Sequence, residues 1–79
     1  MSLYNDATKA IMTDNYEAAT KVLTQLTASD PQFIDAWILL GELYKKTGPS
    51  KSKGYFQQAL ALAKTQTEKM EIQKKIDGL

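Results

Sequence analysis

The stretch PQFIDAWILLGELYKKTG, at residues 31–48, gives the clearest structural signal in this sequence. Its bulky apolar residues recur every three or four positions, which is the spacing of one face of an α-helix. These residues are Phe33, Trp37, Leu40 and Tyr44. A proline at the start, and Gly48 followed by a second proline at the end, are typical of helix boundaries. The stretch therefore predicts a helix over residues 32–47, with the small Gly41 beside its apolar stripe.

Four further segments are also predicted to be helices, at about residues 2–12, 15–28, 50–63 and 68–78. Alanine, leucine, lysine and glutamine dominate them, and the strict alternation typical of a strand is absent. The linkers between the segments are short, which favours antiparallel packing of successive helices. The prediction is an all-α fold in a single domain, since a chain of this length holds one domain at most.

Polar residues at the starts of these segments indicate helix caps. Asp14 precedes the second segment, and Glu17 follows it with the spacing of a capping box. Asp30 is the predicted cap of the third helix, directly in front of a proline. Thr65 and Thr67 are equally good caps for the fifth helix.

The second and fourth segments match each other at a constant separation along the chain. The matching pairs are Ala19 with Ser52, Leu23 with Phe56, and Leu26 with Ala59. Separations of roughly 20–50 residues are typical of stacked helical or other supersecondary repeats. The match therefore indicates an internal repeat.

The decisive stretch also contains a known repeat pattern. Trp37, Leu40, Gly41 and Tyr44 stand in the order W-x-x-L-G-x-x-Y. This order resembles the first-helix signature of the tetratricopeptide repeat family.

Two other groups of residues resemble the second helix of the same repeat. The later group, with serine in place of the usual alanine, is Ser52, Phe56 and Ala59. The earlier group, which ends in the usual Asp-Pro, is Tyr16, Ala19, Leu23, Asp30 and Pro31. The resemblance thus extends over nearly the whole chain.

The resemblance implies two antiparallel helix pairs in a right-handed superhelix, followed by a capping helix. Repeat one would cover about residues 1–31, repeat two about 32–64, and the cap about 67–79. Gly41 and Ala19 would be the small residues at close helix crossings. The aromatic residues expected to fill the space around these crossings are Trp37, Tyr44, Tyr16 and Phe56.

The match is weaker in the first helix. Leu3, Asp6 and Ala7 stand there where the family has Trp, Leu and Gly. The first repeat would begin before Met1, so the chain is expected to be a piece of a longer repeat protein or to depend on a partner.

In this family the first helix of each pair lines a concave groove that holds peptides or partner helices. The residues that would line the groove are Tyr4, Thr8, Ile11, Ile38, Glu42 and Lys45. For Ile38 a place in the core is an equal alternative. One subgroup grips the carboxylate tail of chaperones with lysine and asparagine, but Tyr4, Thr8 and Leu39 occupy those positions, so this activity is not expected.

Two functions follow from the resemblance. The expected one is a protein–protein interaction module that binds a protein or peptide in the groove. The alternative is a structural module that forms homo-oligomers through its exposed repeat faces.

Composition excludes several other classes of function. Histidine and cysteine are absent, and the serines, threonines and carboxylates form no catalytic constellation, so we expect neither an enzyme nor a metal or cofactor site. The net charge is +1 and arginine is absent, so nucleic-acid binding is not expected.

No apolar run is long enough for a membrane span. No signal peptide is predicted, which favours the cytoplasm over the periplasm, although the sequence does not determine the compartment.

Lysines gather at two helix ends. The cluster near the third helix is Lys45, Lys46, Lys51 and Lys53, and it could attract an acidic partner. The favoured interpretation is that these cations stabilise the helix dipole. In the fifth helix, Ile72, Ile76 and Leu79 are predicted to face inward. The polar residues predicted on its outer side are Lys69, Gln73, Lys74 and Lys75.

Overall fold

The computed structural model describes residues 3–79, apart from the side chains at positions 3, 4 and 7. Within that range the chain forms five α-helices and no strand, which confirms the predicted all-α class. The helices are α1 (Leu3–Met12), α2 (Tyr16–Ser29), α3 (Ile34–Tyr44), α4 (Pro49–Leu62) and α5 (Gln66–Asp77).

Each helix packs against the helices next to it in the sequence. The most extensive contacts join α1 to α2 and α3 to α4, while α2 meets α3 and α4 meets α5 over smaller areas. The short connections therefore produce two helical hairpins followed by a fifth helix that covers α4.

The closest approach of α3 and α4 occurs at Gly41. A Cβ atom added to this glycine would lie only 2.5 Å from Cε1 of Phe56, so no larger residue fits without a shift of the ring. At the same crossing the buried Ser52 hydroxyl donates a 2.6 Å hydrogen bond to the Gly41 carbonyl. The predicted close crossing is confirmed. Ser52 thus adds a buried hydrogen bond at this crossing.

Two clusters of buried side chains form the core. Leu23, Ala36 and Leu40 make one cluster between α2 and α3. The other lies between α4 and α5 and consists of Phe56, Ala59, Ala63 and Ile72. The predicted inward positions of Ala19, Leu23, Leu40, Phe56 and Ala59 are all buried.

Trp37 connects the two clusters. Its half-buried ring packs against both of them, and its Nε1 donates a 2.8 Å hydrogen bond to the carbonyl of Pro31. Pro31 therefore contributes a carbonyl partner for the tryptophan rather than the first turn of α3, which begins at Ile34.

A row of aromatic rings extends from Trp37 along the α3–α4 hairpin. The Tyr55 ring lies 6.1 Å from that of Trp37 and 5.5 Å from that of Tyr44. The Lys51 ammonium stands 5.5 Å over the Tyr44 ring, within the range of a cation–π contact. Burial and the neighbouring Tyr44 raise the pKa of Tyr55. The contribution of Tyr55 was not predicted from the sequence, because this residue lies outside the pattern that resembles the repeat.

Two of the predicted helix caps are wrong. Asn15, not Asp14, caps α2, because its side-chain oxygen accepts a 3.3 Å hydrogen bond from the Ala18 amide. Asp14 lies in the α1–α2 turn with φ of 59°, in the left-handed region. Asp30 ends α2, and its amide donates to the Leu26 carbonyl. For α5, the sequence predicts Thr65 and Thr67 as equally good caps.

Thr65 is the residue that caps α5. Its hydroxyl oxygen accepts from the Glu68 amide at 3.1 Å and donates to the Glu68 carboxylate at 3.1 Å. The Thr65–Glu68 pair thus fixes the start of the helix that covers α4.

Two residues predicted to face the core are exposed instead. Tyr16 is 52% exposed in the first turn of α2, and its hydroxyl donates a 3.2 Å hydrogen bond to Asp14. That bond and the Asp14 charge raise the pKa of Tyr16. Leu79 is 38% exposed beyond the end of α5, whereas Ile72 is buried and Ile76 half-buried, as predicted.

Candidate functional site

A cleft of about 640 Å³ opens where α1 ends, α2 begins and α3 ends. We call it the apolar cleft. Its lining residues are Ile11, Tyr16, Glu17, Thr20, Leu39, Glu42, Leu43, Tyr44, Lys45, Lys46 and Thr47.

The apolar residues of this lining lie at positions set by helical spacing. Leu39 and Leu43 are one turn apart on α3, and both are half-buried against the cluster between α2 and α3. Ile11 adds a half-buried side chain from the last turn of α1, and Tyr16 stands at the edge with about half of its surface exposed. The cleft therefore offers a water-accessible apolar surface supported by a packed core.

Charged groups surround this surface. Glu17 lies in the first turn of α2, whereas Glu42, Lys45 and Lys46 lie toward the end of α3 and just beyond it. All four side chains are exposed at the edge of the cleft.

A second, smaller cleft of about 390 Å³ adjoins the first, because Lys45 lines both. Its other lining residues are Glu71, Lys74 and Lys75 from α5, and we call it the lysine cleft. The Lys75 ammonium also forms a 2.6 Å ion pair with Glu42 of α3. This ion pair joins α5 to the edge of the apolar cleft.

The five predicted groove residues whose side chains are described separate into three groups. Ile11, Glu42 and Lys45 meet in the apolar cleft. Ile38 is half-buried and packs against the cluster between α4 and α5 instead. Thr8, which lies within the described range, is half-buried and lines neither cleft. The side chain of Tyr4 lies outside the described residues.

Several residues of the two clefts were not predicted from the sequence. Lys75 was placed on the outer side of α5, and this is wrong, because it contacts Glu42 on α3. A signal was present: Lys75 and Ile76 follow Ile72 at the spacings of one helix face, and Ile72 was correctly predicted to be buried. Tyr16 was missed as a cleft residue because it was assigned to the core.

Comparisons with protein-family models, curated proteins and solved structures give no match to this chain. None of the helices between residues 3 and 79 combines the length and apolar character needed to cross a membrane. Across the same residues, no group of three carboxylates lies close enough together to hold a metal ion. The two clefts provide apolar contact, hydrogen bonding and charge.

Proposed function

We propose that this protein binds a short segment of another protein in the apolar cleft. The observation that carries the proposal is the water-accessible surface of Ile11, Leu39 and Leu43 with Tyr16 at its edge. Its volume of about 640 Å³ falls in the range of roughly 300–1,000 Å³ typical of ligand sites. A few apolar anchor residues of a bound segment would displace water from it.

The tetratricopeptide-like architecture is part of the same proposal. The Gly41–Phe56 crossing and the hydrogen bond from Trp37 to Pro31 support it, since both join residues of the repeat signature. In such a superhelix α1 and α3 would be the first helices of their repeats, and both contribute to the apolar cleft.

Binding through this surface alone is expected to be weak, near micromolar. The cleft involves only the ends of three helices, and ordering a flexible segment costs free energy that offsets the burial of apolar surface. Weak binding is consistent with a module that acts beside other sites in an assembly.

The test is a selection of random peptides displayed on phage against the immobilised protein. Enriched peptides are synthesised, and their dissociation constants are measured by fluorescence anisotropy. Tyr16→Gln should weaken binding by about fivefold or more, because burial of an aromatic side chain contributes on the order of 1 kcal/mol or more.

Met12→Gln is the matched control. Met12 is 78% exposed at the same end of the molecule but does not line the apolar cleft. Its substitution should leave the dissociation constants within about twofold of the original values, since exposed residues outside the contact contribute little. Equal losses in both variants, or no enriched peptide at all, would contradict the proposal. Light scattering over a range of concentrations tests homo-oligomerisation, and a dimer that Tyr16→Gln dissociates would assign the cleft to a second copy.

A further inference from the structure

The lysine cleft contains more positively charged than negatively charged side chains. Lys45, Lys74 and Lys75 face Glu71 within its lining, and Glu42 reaches it through the ion pair with Lys75. Three ammonium groups therefore meet two carboxylates, which leaves one positive charge beside the apolar cleft.

The ion pair in this cleft is exchangeable. The Lys75 and Glu42 side chains are 37% and 41% exposed, and pairs of this kind contribute only about 0–1 kcal/mol to stability. The cost of separating them is small, so another carboxylate can take the place of Glu42 without disturbing the core. The 2.6 Å distance shows that the Lys75 ammonium can reach a carboxylate at the boundary of the two clefts.

We propose that the segment bound in the apolar cleft carries an acidic side chain next to its apolar anchor, and that this carboxylate displaces Glu42 from Lys75. This inference rests on the proposed function, since the anchor must occupy the apolar cleft. Glu42 then acts as a competitor built into the protein: it holds Lys75 when the cleft is empty and disfavours segments that lack a carboxylate to replace it.

A single carboxylate suits this cleft better than a phosphate group. One carboxylate neutralises the one remaining positive charge, whereas a phosphate group on a side chain brings about two negative charges. Because Lys45 lines both clefts, a partner side chain that contacts it stays within reach of the anchor.

The experiment compares two versions of each enriched peptide that contains acidic residues. One version keeps its Glu and Asp residues, and the other has Gln and Asn in their place. The wild-type protein should bind the acidic version about two- to fivefold more tightly, as expected for an exposed ion pair. Lys75→Gln should remove this preference, whereas Glu42→Gln should increase it because no internal carboxylate competes.

Lys53→Gln is the matched control for net charge. Lys53 is exposed on α4 and lines neither cleft, so this variant should keep the preference of the wild type. Equal binding of the two peptide versions to the wild type, or the same loss of preference in Lys53→Gln and Lys75→Gln, would overturn the inference. A set of enriched peptides without acidic residues would overturn it as well.

The two proposals fail in different ways. If peptides bind and depend on Tyr16 but show no preference for acidic residues, only the carboxylate inference is wrong. If binding does not depend on Tyr16, the apolar cleft is not the binding site and both proposals are wrong. Competition by inorganic phosphate at constant ionic strength would assign the lysine cleft to phosphate and contradict the inference.

Discussion

Replacing Gly41 by alanine tests the packing on which this fold depends. The added methyl group would lie 2.5, 2.7 and 2.8 Å from three carbons of the Phe56 ring. Carbon atoms pack favourably at about 3.5–4.0 Å, so the ring or one of the helices must move by roughly 1 Å. Phe56 is completely buried, and side chains in a protein interior are closely packed, so that movement disturbs its neighbours.

The expected net effect is a loss of about 1–3 kcal/mol in the free energy of unfolding. Overpacking of a buried site costs about 1–3 kcal/mol. Separation of α3 from α4 also lengthens the hydrogen bond from Ser52 to the Gly41 carbonyl, which contributes about 0.5–1.5 kcal/mol. Alanine gains about 0.5–1 kcal/mol over glycine within a helix, which offsets only part of these costs.

Gly54→Ala is the matched control, and it should raise the free energy of unfolding where Gly41→Ala lowers it. A Cβ atom on Gly54 would meet nothing within 4 Å, so alanine should stabilise α4 by about 0.5–1 kcal/mol. Urea unfolding followed by circular dichroism measures both changes, and each kcal/mol should shift the melting temperature by about 4–8 °C. In a Phe56→Leu background the penalty of Gly41→Ala should shrink, because the opposing ring is absent. A Gly41→Ala variant as stable as the wild type would refute the close crossing.

Two further predictions concern aromatic side chains. Trp37→Phe should lower the free energy of unfolding by about 1 kcal/mol, because it removes the hydrogen bond from Nε1 to Pro31. Trp37→Ala should lower it by about 3 kcal/mol or more, because the ring is lost as well. Equal melting temperatures for the two variants would show that ring packing contributes nothing. Tyr16 and Tyr55 both have a raised pKa, so the folded state favours their neutral form. Their contribution to stability is complete below the usual tyrosine pKa and is lost as the pH rises through the raised values. In an ultraviolet titration, part of the tyrosinate absorbance should appear at higher pH in the folded protein than in the unfolded chain. Asp14→Asn should return the pKa of Tyr16 toward the usual tyrosine value of about 10. Identical titrations of the folded and urea-unfolded chains would contradict this.

The secondary structure could be predicted because local spacing determines it. Helical periodicity predicted the five helices of the described residues, and the resemblance to the repeat family predicted Gly41 at a close helix crossing with Phe56 among the aromatic residues around it. Cap positions could not be fixed in the same way, because Asp14 and Asn15 are neighbours and either side chain can cap a helix. The left-handed backbone at Asp14 and the hydrogen bond from the Ala18 amide to the Asn15 side chain decide between them.

The surfaces that line the clefts depend on the rotation of each helix about its axis, and the sequence determines that rotation less well. The repeat resemblance predicted Tyr16 in the core, but this residue starts α2, where its ring stays about half exposed. Lys75 was predicted to point outward because it is charged. Its long side chain instead extends to Glu42, since packing of Ile72 sets the orientation of α5.

The neighbours Ile38 and Leu39 show why this rotation decides the site. Successive residues of a helix point about 100° apart, so one packs into the core between α4 and α5 while the other lines the apolar cleft. Ile38→Glu would place a charge against the buried cluster between α4 and α5, and a loss of binding in that variant would report unfolding as readily as a lost contact. Tyr16 has no such ambiguity, because half of its surface is exposed and its main polar contact is with Asp14 in the turn. A substitution at Tyr16 therefore tests the cleft while the core stays intact.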